Sequence, residues 1–161
     1  DPEHQTPAVR AENYARAMAE VARSNPDDAE AQIFHALALI ATAAPSDKSH
    51  TNQKRAADIL EPIFRQQPEH PGLAHYLIHA YDSPPLARRG ERAADRYAAI
   101  APSVPHAQHM PSHIYTRIGA WDKAIASNRR SVDAARGFEA SRLSGALWDQ
   151  DAHALDYLAY A

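Results

Sequence analysis

Residues 71–81 read PGLAHYLIHAY, and residues 105–115 read PHAQHMPSHIY. A proline, two histidines four residues apart and a tyrosine recur between these stretches at a spacing of 34 residues. Self-similarity at a fixed period of this length is typical of arrays in which each repeat is one helical hairpin. The abundant alanine and the scarcity of glycine, with 5 in 161 residues, also favour helix. We therefore predict an all-α fold of antiparallel helical hairpins.

The second copy continues into a turn. Residues 118–124 read IGAWDKA, in which the glycine suits the turn while the aromatic residue and the small alanine let two helices approach closely. This pattern resembles the tetratricopeptide repeat (TPR), and the resemblance covers nearly the whole chain. The strings HYLIHAYD and HMPSHIYTRIGAWDKAIASN are similar, more narrowly, to bacterial TPR-containing proteins of unassigned function. The resemblance implies a right-handed α-solenoid, and it brings no known activity.

Proline and hydrophobic periodicity divide the chain into further hairpins. We predict one TPR-like domain over residues 1–161, with the second helix of a preceding repeat at 6–24, repeats at about 29–68, 71–104 and 105–147, and the start of a further repeat at 148–161. Terminal repeats of a solenoid need a polar cap, and neither end of this sequence has one. We expect the chain to be a fragment of a longer array, or to self-associate through these ends.

Composition excludes several functional classes. The net charge is −3 without a basic run, so nucleic acid is not an expected partner. The longest apolar stretch, residues 33–44, is too short to span a membrane. The absence of cysteine excludes disulfides and thiolate chemistry, but it leaves the compartment open between cytoplasmic and exported. The chain is expected to be soluble.

The TPR resemblance also implies a groove, because positions 2, 5, 9 and 12 of each first helix face the concave side of such repeats. Seven of the ten histidines fall on this surface. The predicted groove residues are His35, Gly72, His75, His79, Asp82, His106, His109, His113, Thr116, His153 and Tyr157. The other three histidines, His4, His50 and His70, are predicted to lie in loops or at the terminus.

Two histidine pairs at i, i+4 spacing suggest a metal site. The members of each pair share one helix face, and neighbouring helices pack about 8–10 Å apart, so His75, His79, His109 and His113 could converge on one ion. Imidazole suits Zn, Ni and Cu, and the sequence does not choose between them. Asp82 is a candidate ligand or an orienting partner. Proline at position 111 is expected to kink the helix and to aim His109 away from His113.

A structural interpretation stands beside the metal site. Repeated histidines can form a hydrogen-bonded rib, and this interpretation is favoured for His35 and His153 taken alone. Three aromatic residues, Tyr81, Tyr115 and Trp121, are predicted to pack inside the repeats. Asn128 is predicted to hydrogen-bond within the fold.

Three functions follow, in order of preference. The first is a binding or scaffold module whose histidine-rich groove holds a peptide, a protein or a small ligand, as TPR grooves commonly do. The second is a transition-metal-binding or metal-dependent hydrolytic site, and the third is a purely structural rib. One acidic residue in the groove is thin support for an enzyme, so we lean against catalysis.

Overall fold

A computed structural model of the chain describes residues 6–142 and 148–161, with the side chains of residues 140–142 left aside. Within these ranges every regular element is helical, which confirms the all-α prediction. The helices are α1 (Pro7–Ser24), α2 (Ala29–Ala41), α3 (Thr51–Gln66), α4 (Pro71–Tyr81), α5 (Glu91–Ile100), α6 (Pro105–His109), α7 (Pro111–Ile118), α8 (Trp121–Arg142) and α9 (Asp149–Tyr160), with a 3₁₀ turn at Ala87–Gly90. His4 and the end of the predicted repeat 105–147 lie outside the described residues.

The chain forms two compact units, Asp1–Pro68 and Glu69–Ala161. In the first unit α2 packs against α1 and α3. Ile33 and Leu60 are among the residues that form its apolar core. Helix α2 starts with an ordinary cap, since the Asp28 side chain accepts hydrogen bonds from the amides of Glu30 and Ala31. His35 lies on α2 and is half-buried.

The second unit carries the remaining predicted groove residues. Helix α5 packs against α4 and α7, while the long α8 packs against α6, α7 and α9. Leu73, Ile78, Met110 and Ile114 are fully buried between these helices. The 3₁₀ turn comes very close to α7, because a Cβ at Gly90 would lie only 2.8 Å from a carbon of Ile114. This contact holds α7 beside the end of α4.

The turn at Gly119 has the predicted form. Gly119 adopts a left-handed conformation, with φ of 75°, and it ends α7. Glycine reaches this region without the penalty that a Cβ would impose. Helix α8 then begins at Trp121.

Proline at position 111 divides the predicted first helix into α6 and α7, but the division is small. Met110, between them, keeps helical angles of φ −52° and ψ −36°. The backbone direction is therefore retained, and the Nε2 atoms of His109 and His113 lie 3.0 Å apart. The expectation that the proline aims His109 away from His113 is wrong for this reason.

The packing predictions hold for two of three aromatic residues. Tyr81 and Tyr115 are 1% and 5% exposed. Trp121 is 44% exposed, so its predicted packing role is wrong. It occupies the first position of α8, where Tyr160 is the aromatic neighbour, at 6.2 Å between ring centroids. Leu155 and Tyr160 on α9 are also exposed.

The predicted loop histidines lie where expected. His50 and His70 precede α3 and α4, and the His70 ring accepts a hydrogen bond from the amide of Leu73. None of the helices in the part of the chain that the structure describes combines the length and the apolar character needed to cross a membrane.

Candidate functional site

Six histidines of the second unit form two adjoining clusters. The first triad consists of His109, His113 and His153, on α6, α7 and α9. The second triad consists of His75, His79 and His106, on α4 and α6. The two triads adjoin through His106 and His109, whose ring centroids lie 6.5 Å apart.

The first triad brings three ring nitrogens together. The Nε2 atoms of His109 and His113 lie 3.0 Å apart, and the His153 ring centroid lies 4.4 Å from that of His109. One nitrogen from each of the three rings lies within 4.8 Å of the others. Among the described residues, this is the group of His, Asp and Glu side chains whose spacing suits a metal ion.

The outer nitrogen of His109 is held by Asn128 on α8. Asn128 is fully buried, and its Nδ2 donates to the carbonyl of Ala124 at 3.0 Å. That bond leaves the Asn128 Oδ1 facing Nδ1 of His109, at 2.6 Å. Because an amide oxygen only accepts, His109 carries its hydrogen on Nδ1. The prediction that Asn128 hydrogen-bonds within the fold is confirmed, and its partner is a site residue.

The outer nitrogen of His113 is held by Asp82, at the end of α4. Its Nδ1 lies 2.9 Å from Asp82 Oδ2, while Arg117 Nε donates to the other carboxylate oxygen at 2.8 Å. Burial alone would raise the pKa of Asp82, but these hydrogen bonds outweigh it and lower the pKa to about 2. Asp82 is therefore a carboxylate at neutral pH, and His113 donates its Nδ1 hydrogen to it.

Burial also sets the state of His109. The side chain is 1% exposed, and this burial lowers its pKa to about 4 although the bond to Asn128 acts the other way. His109 is consequently a neutral imidazole at physiological pH. Its Nε2 carries a lone pair that points at His113.

Tyr157 on α9 covers the same two rings. Its ring lies edge-on to His109, at 4.6 Å between centroids, and 5.1 Å from His113. Its hydroxyl lies 3.3 Å from His113 Nδ1. Tyr157 thus shields the first triad from one side.

The second triad is centred on His75. The Nε2 atom of His75 lies 3.0 Å from Nε2 of His79 and 3.1 Å from Nε2 of His106. Desolvation and the neighbouring histidines lower the pKa of His75 to about 3. The pKa values of His79 and His106 are lowered by the same causes. All three rings are therefore neutral at physiological pH.

The structure divides the predicted four-histidine site between the two triads. His75 and His79 lie in the second triad with His106, whereas His109 and His113 lie in the first with His153. The sequence analysis favoured a structural role for His153 when that residue was considered by itself. It gave no role to Arg117. A basic residue one turn after His113 and 35 residues after Asp82 was the available signal for Arg117.

Two further predicted groove residues have local roles. Gly72 faces the His70 ring, because a Cβ there would lie 3.0 Å from its Cε1. The Thr116 hydroxyl donates to the backbone carbonyls of Ser112 and His113 within its own helix. His35 belongs to the first unit, where burial and the nearby Arg55 lower its pKa.

A pocket of about 490 Å³ opens beside the first triad, on the carboxylate side of His113. It is lined by Asp82, Thr116, Arg117, Asp156, Tyr157, Ala159 and Tyr160. Three of these, Asp82, Thr116 and Tyr157, are predicted groove residues. The pocket gives a ligand access to the groups that orient His113.

Comparison with known proteins gives no relative: no family model, curated protein or solved structure matches this chain.

Proposed function

We propose that the second unit is a metal-binding module that holds one divalent transition-metal ion on His109, His113 and His153. One observation carries this proposal. The Nε2 atoms of His109 and His113 lie 3.0 Å apart, while the Nδ1 hydrogens of both rings are committed to other partners.

A neutral imidazole carries one N–H hydrogen, and its other nitrogen has a lone pair. Because Asn128 and Asp82 accept the Nδ1 hydrogens, the two facing Nε2 atoms each present a lone pair whenever both rings are neutral. Facing lone pairs repel unless a cation lies between or beside them. An added proton would satisfy two nitrogens, but a metal ion also accounts for the third imidazole, His153.

The outer partners support the same proposal. Histidines that bind metal almost always donate their second ring hydrogen to a carboxylate, a carbonyl oxygen or water. His113 donates to the Asp82 carboxylate, and His109 to the amide oxygen of Asn128. These bonds fix the rings with their lone pairs pointing inward, and they raise the basicity of the ligand nitrogens.

The geometry also suits the expected bond lengths. Zinc binds histidine nitrogen at about 2.0–2.1 Å, so two nitrogens on a tetrahedral ion lie about 3.3 Å apart. The 3.0 Å contact needs only a small opening to reach that separation. Three protein ligands leave one position open for water or another small ligand. Imidazole nitrogen suits Zn²⁺, Ni²⁺ and Cu²⁺ alike.

We further propose that the scaffold is a TPR-like array. Helix α4 pairs with α5, and α6 with α7 pairs with α8, which supports a pair of stacked hairpins. Every histidine of both triads lies on a helix that the repeat pattern assigns as a first helix, namely α4, α6, α7 or α9.

The test is the metal content of the untagged chain of residues 1–161, by elemental mass spectrometry after incubation with Zn²⁺ and extensive dialysis. We expect at least one tightly bound ion per chain, and we expect His153→Ala to lose it. His153 is exposed, so this change should leave the fold intact. His35→Ala, in the first unit, is the matched control. A metal content no higher than background in the wild-type chain, after incubation with Zn²⁺, Ni²⁺ and Cu²⁺, would contradict the proposal.

A second candidate function is the binding of a small polar ligand or a peptide side chain in the pocket beside Tyr157. The observation that favours it is that the cationic Arg117, whose Nε donates to Asp82, lines this pocket. A screen of acidic and neutral peptides, repeated with a metal chelator, tests it. Binding that persists in the chelator and is lost in Arg117→Ala would support this candidate.

A further inference from the structure

The pocket beside Tyr157 carries charged groups of both signs. Helix α7 contributes the cationic Arg117 to its lining, and α9 contributes the carboxylate of Asp156. We infer that this pocket binds a free α-amino acid with an apolar side chain, whose carboxylate and ammonium group meet these two residues. The inference rests on the second candidate function, since it names the ligand class of that pocket, and it is independent of the proposed metal site.

Arg117 supplies the cationic group for the ligand carboxylate. Its side chain is 46% exposed, and its Nε donates to Asp82 at 2.8 Å, which holds the guanidinium at the pocket wall. The other oxygen of Asp82 lies against His113, so this carboxylate is shared between two partners. A guanidinium is planar and has five N–H donors, which is why arginine recognises carboxylates well.

Asp156 supplies the anionic group for the ligand ammonium. It is exposed and lines the pocket, and no ion pair or hydrogen bond of its side chain is found within residues 6–142 and 148–161. The lining holds two carboxylates, Asp82 and Asp156, against the one cation of Arg117. A ligand with only a negative charge would therefore be repelled on balance, and one with only a positive charge would face Arg117 unpaired. A zwitterion has a partner for each of its charges.

The aromatic side of the pocket suits an apolar side chain. Tyr157, Ala159 and Tyr160 line this side, and Tyr160 is 75% exposed. Trp121, also exposed, lies 6.2 Å from Tyr160 between ring centroids. Exposed apolar surface that is rimmed by polar groups often marks a binding site, and an aromatic ligand ring packs well edge-on or offset against tyrosine. The volume of about 490 Å³ lies in the usual range for small-molecule sites, about 300–1,000 Å³.

The experiment compares three probes that differ only in their charged groups. Phenylalanine has both groups, its deaminated analogue phenylpropanoate lacks the ammonium, and its decarboxylated analogue phenethylamine lacks the carboxylate. Each is titrated calorimetrically into the untagged chain of residues 1–161 at neutral pH, with a metal chelator present. We expect phenylalanine to bind more tightly than either analogue, by a factor of about two to five for each missing group, because ion pairs at partly exposed residues are weak.

Two variants should change the preference in opposite directions. Arg117→Gln should weaken the binding of phenylalanine and phenylpropanoate but not that of phenethylamine. Asp156→Asn should weaken the binding of phenylalanine and phenethylamine but not that of phenylpropanoate. Asp149→Asn is the matched control, since Asp149 is an exposed acid in the first turn of α9 and does not line the pocket. Circular dichroism checks that each variant is folded.

Tryptophan fluorescence gives a second readout of the position of the ligand. The chain has two tryptophans, so Trp148→Phe leaves Trp121 as the single reporter beside Tyr160. Phenylalanine should change its emission with the same affinity that calorimetry measures.

Other results would overturn the inference. Equal or tighter binding of either single-charge analogue would leave a ligand in the pocket, and with it the second candidate function, but of another chemical class. Phenylalanine binding that is unchanged in both Arg117→Gln and Asp156→Asn would place the ligand elsewhere on the chain. Absence of binding by all three probes at millimolar concentration would contradict the inference, while the peptide screen decides the second candidate function separately.

Discussion

His113 on α7 and Asp82 at the end of α4 are joined by a hydrogen bond of 2.9 Å, across 31 residues of sequence. The contact fixes which nitrogen of His113 faces the first triad. The Asp82 carboxylate also accepts a hydrogen bond from Arg117. One side chain at the end of α4 therefore contacts two positions of α7. In the proposed metal site Asp82 would therefore act through His113 and not by direct ligation, as a positioning residue.

We expect Asp82→Asn to weaken metal binding at the first triad by about 10- to 100-fold, because a neutral amide raises the basicity of His113 less than a carboxylate does. The affinity is measured by competition with a chromogenic chelator. Asp156→Asn is the matched control, since Asp156 is an exposed carboxylate that lines the same pocket. Equal losses in the two variants would indicate a general charge effect and would contradict the positioning role.

Asn128→Ala is expected to lower the free energy of unfolding by about 1–3 kcal/mol in the absence of metal, because it leaves the Nδ1 hydrogen of buried His109 without a partner. Urea unfolding followed by circular dichroism measures the change. Arg129→Ala alters the neighbouring, exposed position of α8 and should change the stability little. No difference between the two variants would mean that the bond to His109 contributes no stability.

Replacing either of two glycines by alanine should change the free energy of unfolding, with opposite signs at the two positions. Gly119→Ala should destabilise the chain by about 1–2 kcal/mol, because alanine at φ of 75° pays a steric penalty. Gly137→Ala should stabilise it by about 0.4–1 kcal/mol, since its position is helical and a Cβ there meets nothing within 4 Å. Thermal unfolding of both variants tests the pair. A destabilising Gly137→Ala would show that the end of α8 is packed differently.

Metal-free stability should fall as the pH drops below about 6.5. Burial holds the pKa of folded His75 at about 3 and that of folded His109 at about 4, whereas unfolded histidine titrates near the ordinary value of 6.5. The unfolded state binds more protons between these values, so the free energy of unfolding rises with pH in this window. Urea titrations with a chelator at several pH values measure it.

The matched variant for the pH experiment is His75→Gln. It removes one of the depressed groups, so its stability should depend less steeply on pH between about 6.5 and 3. His50→Gln changes a histidine in the connection before α3, outside both triads, and serves as the control for the replacement of a histidine elsewhere in the chain. A wild-type stability that is flat across the window would contradict the assignment of neutral, buried rings.

Much of the helical pattern could be predicted from the sequence, because each signal was local. Gly119 marked a turn, and the prolines bounded the helical runs. These features depend on neighbours within a few residues. Helix ends could accordingly be placed to within a few positions, whereas the TPR-like stacking stays a prediction.

The partition of the histidines could not be predicted in the same way. Whether His75 meets His109 or His106 depends on the offset between α4 and α6, and the 34-residue spacing does not specify that offset. Burial of His109 was equally hidden, since a histidine at a groove position suggests exposure. The assignment of Asn128 to the fold was right, but its partner 19 residues away needed the packed structure.

The break at Met110 and the place of His153 on α9 have a mechanical consequence. The three nitrogens of the first triad belong to three separate segments, α6, α7 and α9, so an ion there would act as a cross-link between them. Helix α9 is otherwise held by α8, with Ala154 and Asp151 as its buried residues and an ion pair between Arg136 and Asp151. Metal binding should therefore slow amide hydrogen exchange along the whole of α9, including residues that do not contact the ion.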